Sequence, residues 1–281
     1  MKSLKNSKVL VTGANGFIGS HLTEKLVNLE AKVSIIVRPN SNLENLKNIT
    51  NKINVFKGHL NNYEEVKKIV DEVSPEFIFH LAANVNASRD LNEIDKSIEN
   101  ISMTLNLLKA LENKKYELFI NTGTIEEYGK IKVPFKESDL PSPVSPYSAS
   151  KLAITNYCRM LYETHGLPIT TVRVFLTYGP KQKYGMFIPD LINSALLKKE
   201  FKMTKGEQTR EFNYIDDIVN GYIKVASSEK SIGQVINIGN GKEYKIVHVV
   251  DLILKLMGNP IKTDKSLPHR KGEIMRVYCD N

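Results

Sequence analysis

Tyr147 and Lys151 stand four residues apart, a spacing that puts a phenol and an ammonium on one face of a helix. An ammonium that close favours the phenolate, so Tyr147 is expected to be a proton donor and acceptor with a depressed pKa. A hydroxyl, Thr124, precedes the pair in the chain. Near the amino end, Gly13-Ala-Asn-Gly16-Phe-Ile-Gly19 follows a short apolar run and opens a helix-length segment. Missing side chains at those three positions permit a tight turn, close approach of phosphate and close helix packing, and the helix amino terminus then faces a pyrophosphate. Proton relay and dinucleotide cradle together describe a redox active site.

Arg38 stands nineteen residues past Gly19, at the end of the second apolar run. A carboxylate there would accept hydrogen bonds from the ribose hydroxyls of NAD; a guanidinium cannot accept them. It suits instead the 2′-phosphate of NADP, with Ser41 and Asn42 as helpers, so NADP is the expected cofactor and NAD the alternative.

Such a site needs a rigid frame. Strands are predicted at Val9 to Val11, Val33 to Val37, Ile53 to Phe56, Phe77 to Leu81, Leu118 to Asn121 and Thr170 to Phe175, with helix-length stretches between them. Near-continuous apolar strands alternating with helices predict an α/β fold, a doubly wound parallel sheet of Rossmann type covered on both faces. Right-handed crossovers then align the strands' carboxyl ends along one ligand-binding edge. Pro141, Pro143 and Pro146 crowd the stretch before Tyr147, which reads as a loop delivering it to a helix start. After Phe175 the rhythm loosens, predicting a small interleaved lobe. Residues 1–176, joined by about 213–238, form the expected nucleotide domain; 177–212 and 239–281 form the substrate lobe.

Bulk properties narrow the function classes. The net charge of +8 comes from scattered lysines rather than one basic tract, which argues against nucleic acid and suits an anionic diphosphate ligand. Two cysteines, Cys158 and Cys279, show no metal-ligand spacing and make no disulfide framework. No metal is expected, and the thiols read as reduced and cytoplasmic. Neither a signal-peptide core nor an apolar run of membrane-spanning length occurs.

Further ordered matches accompany Gly-x-x-Gly-x-x-Gly and Tyr-x-x-x-Lys: His80-Leu-Ala-Ala83, Asn100, Thr122-Gly-Thr-Ile-Glu-Glu-Tyr-Gly129, Arg173 with Tyr178-Gly-Pro180, Arg210-Glu-Phe-Asn-Tyr-Ile-Asp-Asp217 and Asn237-Ile-Gly239. With these the chain resembles, over essentially its whole length, the extended short-chain dehydrogenase/reductase family, in its nucleotide-sugar epimerase, dehydratase and ketoreductase branch. The resemblance implies that Thr124 hydrogen-bonds the substrate oxygen that Tyr147 protonates or deprotonates, and that Lys151 binds nicotinamide ribose and tunes Tyr147. It implies a cofactor wall of Phe17, Ile18, Leu60, Leu81, Ala82, Ala83, Asn100 and Thr122. Substrate contacts are implied for Asn84, and a grip on the diphosphate of a nucleotide sugar for Arg210 and Arg270. A homodimer built on the helices around Tyr147 and Asn100 is implied too.

Three departures qualify the match. The family's Gly-Asp-Leu is here Gly58-His59-Leu60, leaving His59 where a carboxylate ordinarily meets adenine. The asparagine usual before Tyr-Gly-Pro is replaced in Leu176-Thr177. The chain ends at Cys279-Asp-Asn281, where relatives usually continue with another helix, and a naturally clipped end and a truncated chain both fit. The family's 4,6-dehydratases use an acidic pair after the threonine; here the positions hold Ile125 and Glu126. Glu126 alone makes dehydration the least favoured reaction. The first expectation is an NADPH-dependent 4-ketoreductase acting on a nucleotide-linked 4-keto-6-deoxy sugar, with hydride to C4 and Tyr147 as proton donor. The alternative is a nucleotide-sugar 4-epimerase with the same residues. A non-catalytic NADP sensor is the reading from a different class, and such relatives usually lose the tyrosine or the lysine.

Overall fold

The chain opens with six strands and four helices that build most of one parallel sheet, seen in a computed structural model describing residues 3–86, 88–269 and 272–281. They are β1 (Lys8–Thr12), α1 (Phe17–Asn28), β2 (Lys32–Val37), β3 (Asn54–Lys57), α2 (Tyr63–Val73), β4 (Phe77–His80), α3 (Ile94–Ala110), β5 (Leu118–Thr124), α4 (Pro146–His165) and β6 (Ile169–Val174). The predicted strands are all present, but β5 runs on to Thr124 instead of stopping at Asn121. Parallel pairing with β6 continues through Gly123 opposite Arg173 and Thr124 opposite Val174, and that carries Thr124 to the strand's carboxyl end.

Beyond β6 the elements shorten: β7 (Thr177–Tyr178), α5 (Phe187–Leu196), β8 (Phe201–Lys202), β9 (Thr209–Glu211), β10 (Asn213–Tyr214), α6 (Ile215–Ala226), β11 (Val235–Ile238), β12 (Glu243–Lys245), α7 (Ile246–Leu256), β13 (Thr263–Asp264) and β14 (Arg276–Val277). The large sheet has the order β11-β6-β5-β4-β1-β2-β3, so β11 returns to it after the excursion. The order reverses at β1, between β2 and β4, and a doubly wound sheet opens its ligand crevice at such a switch point. A second small sheet, β12-β9-β14, and the pairs β10-β7 and β13-β8 lie outside it.

Apolar side chains on the two sheet faces build two cores. Val9, Val11, Val33, Ile35, Phe77 and Phe79 pack with Leu22 and Leu26 of α1 and with Ile218 and Tyr222 of α6. Leu10, Ile78 and Phe119 meet Val66 and Val70 of α2, Leu107 of α3 and Ile154 of α4. Strand residues alternate between the cores, as the period of two demands. A smaller cluster joins Leu191 and Ala195 of α5 to Ile246, Val250 and Leu254 of α7. Among the described residues no helix is long and apolar enough to cross a membrane.

Candidate active site

The glycine turn has the geometry its spacing predicts. Gly13 has φ +70, which favours glycine, and a Cβ there would meet the Ala82 backbone nitrogen at 2.7 Å. Gly19 lies so near the Gly13 carbonyl that any side chain would collide with it. Gly16 caps α1 without a side-chain bond to the first turn, which leaves the amides beside Phe17 and Ile18 for an anion. The loop after β2 is tied to this turn, because Asn15 Nδ2 donates to the Asn42 carbonyl at 3.3 Å and Asn45 Nδ2 to the Asn15 carbonyl at 3.1 Å. Arg38, Pro39, Asn40, Ser41 and His59 line a cavity of about 530 Å³. A cradle that a Cβ would fill, a bare helix terminus and a cavity with Arg38 in its wall fit a dinucleotide.

His59 is exposed, and its backbone N–H donates to Glu65 Oε2 at 2.7 Å while its Nδ1 lies 3.4 Å from the same oxygen. Leu60 is buried, and its carbonyl accepts from Asn106 Nδ2 at 3.0 Å. Leu81, Ala82 and Ala83 follow β4 and are half-buried. Behind them runs a hydrogen-bonded chain through a buried imidazole. Ala82 N–H donates to Thr12 Oγ1 at 3.2 Å, Thr12 Oγ1 lies 2.7 Å from His80 Nδ1, and His80 Nε2 lies 2.9 Å from Thr104 Oγ1. Thr104 Oγ1 donates to the Asn100 carbonyl at 2.9 Å. Only a neutral imidazole protonated at Nε2 satisfies every member, and burial lowers the His80 pKa to about 3, helped by the positive charge of Lys151.

Asn100 is buried and its carboxamide is committed to protein groups. Its Oδ1 accepts from Asn84 N–H at 2.7 Å, and its Nδ2 faces the Asn84 carbonyl at 3.2 Å and Ser150 Oγ at 3.4 Å. Asn84 turns its own Nδ2 to Glu99 Oε2 at 2.9 Å. Thr122 Oγ1 lies 2.8 Å from the hydroxyl of Tyr222, a fully buried partner on α6 that the sequence did not suggest.

Tyr147 is the second residue of α4. Ser145 caps that helix in a capping box with Ser148, and Pro146 occupies the first turn. Tyr147 is 8% exposed and Lys151 2% exposed. The Thr124 side chain lies near enough to the phenol to favour its charged form, and Glu126 is near enough to act on it electrostatically, while Thr124 Oγ1 accepts from the backbone N–H of Glu126 at 3.3 Å. In the ligand-free protein the tyrosine pKa is not depressed: burial, then the negative charge of Glu127, push it above its ordinary value, and the nearby Thr124 opposes them only in part. Burial lowers Lys151 to about 8, while Glu127 and Cys158 act in the opposite sense. In the ligand-free protein Tyr147 is therefore a neutral phenol at pH 7, poised to donate a proton.

Glu127 is the site residue that sequence reasoning passed over. It is wholly buried; Oε1 accepts from Thr124 N–H at 2.9 Å, and Oε2 lies 2.9 Å from Arg173 Nε and 3.0 Å from Thr155 Oγ1. On the lobe side, Arg210 Nη2 pairs with Glu273 Oε1 at 2.5 Å. Arg270 lies outside the described residues. The buried Glu211 of β9 accepts from the backbone N–H of Cys279 at 2.9 Å and from that of Asn240, tying β9 to the segments that follow β14 and β11.

Residues 9–239 match the model of the NAD dependent epimerase/dehydratase family, and the chain belongs to that family. A Bacillus subtilis protein named an uncharacterized UDP-glucose epimerase is 33% identical over 264 residues, covering 89% of this chain and 82% of its own. A UDP-glucuronate 4-epimerase of Thermodesulfobacterium geofontis is 30% identical over 288 residues, covering 96% of this chain and 87% of its own. The structure of a UDP-N-acetylglucosamine 4-epimerase from Methanobrevibacter ruminantium in complex with UDP-N-acetylmuramic acid superposes with a TM-score of 0.88 at 29% identity, over 98% of this chain and 90% of that one. Dehydratases and decarboxylases of nucleotide sugars are also similar to it. The protein is thus an enzyme of the extended short-chain dehydrogenase/reductase type, in a family described as NAD-dependent.

Proposed function

We propose that the protein interconverts epimers of a nucleoside-diphosphate sugar at C4, with Thr124, Tyr147 and Lys151 as its working residues. The observation that carries this reading is the junction of the β5 end with the start of α4, where Thr124 lies beside Tyr147 and Ile125 leaves no acidic pair next to it. Loss of that pair counts against dehydration. Epimerases similar over nearly the full chain support the same choice.

A bound dinucleotide supplies the hydride acceptor for oxidation and the hydride donor for the return. Tyr147 exchanges a proton with the sugar oxygen, and Thr124 holds that oxygen in line. Lys151, charged below about pH 8, binds ribose and favours the phenolate when the hydroxyl must be deprotonated. Arg210 meets the diphosphate by exchanging Glu273 for it. The lobe of residues 177–212 and 239–281 supplies Arg210 to that contact.

A second reading, an NADPH-dependent 4-ketoreductase, is favoured by one observation: Arg38 lines the cavity at the end of β2, where a guanidinium suits a 2′-phosphate. Purified protein incubated with UDP-, dTDP-, GDP- and CDP-sugars and either cofactor separates the two. Interconversion of sugars without net change in nicotinamide absorbance supports epimerisation; stoichiometric loss of NADPH with a 4-keto-6-deoxy sugar supports reduction. Neither reaction with any of these sugars overturns both.

We further infer a homodimer through α3 and α4, which pack side by side and expose Ile94, Ile98, Tyr157 and Met160. The two free, buried cysteines suit a cytoplasmic protein.

A further inference from the structure

We propose that Glu127 is a positioning residue for the proton-transfer pair, its buried carboxylate fastening the end of β5 to α4 and supplying the negative charge against which Tyr147 and Lys151 act. The inference rests on the reading of Tyr147 as the acid–base group.

Three contacts make the carboxylate a junction. Oε1 accepts from the backbone N–H of Thr124, so it fixes the strand end that carries the substrate-facing hydroxyl. Oε2 lies 3.0 Å from Thr155 Oγ1, and that hydroxyl is 3.1 Å from the carbonyl of Lys151 one turn back along α4. The third contact is Arg173 Nε of β6 at 2.9 Å, in an ion pair with both side chains buried. The chain makes room for this group, since a Cβ on Gly123 would come within 2.5 Å of Oε1. Arg173 is held in turn above the Tyr128 ring at 4.5 Å, and Tyr128 Oη donates to Asn237 Oδ1 at 2.8 Å. A surface carboxylate has none of these partners, and a buried charge is retained only where it is paired and hydrogen-bonded.

The titratable and charged groups around Glu127 are Arg173 on β6, Tyr147, Lys151 and Cys158 on α4, and Glu126 and Tyr128 beside it, with Glu137 acting on Tyr128. The charge of Glu127 raises both Tyr147 and Lys151. Removing it therefore moves both in one direction, downward. The alkaline limb of kcat/KM, set by loss of a proton from this pair, must shift to lower pH.

Glu127→Gln keeps the shape and removes the charge. Its alkaline limb is expected to fall by about one pH unit, with kcat reduced about tenfold or more and KM for the nucleotide sugar within twofold. Glu127→Asp keeps the charge and is expected to restore the wild-type limb while kcat stays low. Removing one charge of a buried pair is destabilising, so thermal melting accompanies each variant. Should Glu127→Gln not fold, Glu127→Gln with Arg173→Met leaves no orphaned charge and is expected to shift the limb in the same direction by less, because the guanidinium's opposing charge goes with the carboxylate. A loss of kcat with an unmoved limb in the folded variant overturns the proposal. Wild-type activity in Tyr147→Phe overturns the reading beneath it instead, and the two failures are distinct.

Discussion

The phenol of Tyr147 is protonated in the ligand-free protein because burial and Glu127 outweigh the influence of Thr124. Tyr147→Phe removes the proton and leaves the ring packing, so activity is expected to fall about 10²–10⁴-fold with little change in melting temperature. Arg38→Asp tests the cofactor reading: the ratio of NADP to NAD affinity, measured by fluorescence titration, is expected to drop about 10–100-fold, matching the ~1.5–3 kcal/mol of a charge-assisted hydrogen bond. An unchanged ratio would return Arg38 to the role of a surface arginine. Thr124, Tyr147 and Lys151 were legible because residue type and spacing alone specify a proton relay. Glu127 was not. A glutamate in a string reads as solvated surface, and only the room left by Gly123 and the return of Arg173 from β6 reveal that it is buried.

Elements hold these residues through a few polar joints. His80 links β1, β4 and α3 as a neutral ring, and its pKa near 3 lies below the value of about 6.5 in an unfolded chain. Between those values the unfolded state binds a proton that the folded state refuses. Stability present above pH 6.5 is therefore lost as pH falls toward 3, at roughly 1.4 kcal/mol per pH unit from this group. Thermal melts from pH 7 to 4 are expected to show a shallower fall for His80→Gln than for the wild type; parallel curves would assign the acid sensitivity elsewhere. The glycine turn is a joint of another kind. Gly13→Ala forces a side chain into a positive-φ position against the Ala82 backbone, at a cost of about 1–3 kcal/mol, and loss of dinucleotide binding should accompany the lowered melting temperature. Strand positions were readable from apolar runs. The length of β5 was not, because Thr122-Gly-Thr124 is polar and its pairing depends on β6, which comes some forty-five residues later.

At the scale of the whole molecule, the exposed apolar residues on α3 and α4 predict self-association. Ile98→Lys with Met160→Lys is expected to convert a dimer to a monomer by light scattering, leaving the large sheet intact by circular dichroism; a wild-type monomer would remove the proposed interface. The parallel sheet followed from the alternation of strands and helices. The small sheets did not, since strands of two or three residues such as β9 and β14 carry no periodicity to read. One consequence lies in the path of the chain. It leaves the large sheet after β6 and comes back for α6 and β11, with β11 hydrogen-bonded to β6 and α6 packed on α1. A protease that cuts at the exposed Lys183 and Tyr184 would produce two polypeptides that remain one particle, since neither piece can depart without unzipping a buried ladder. The molecule would migrate as two bands on a denaturing gel and as one species under native conditions.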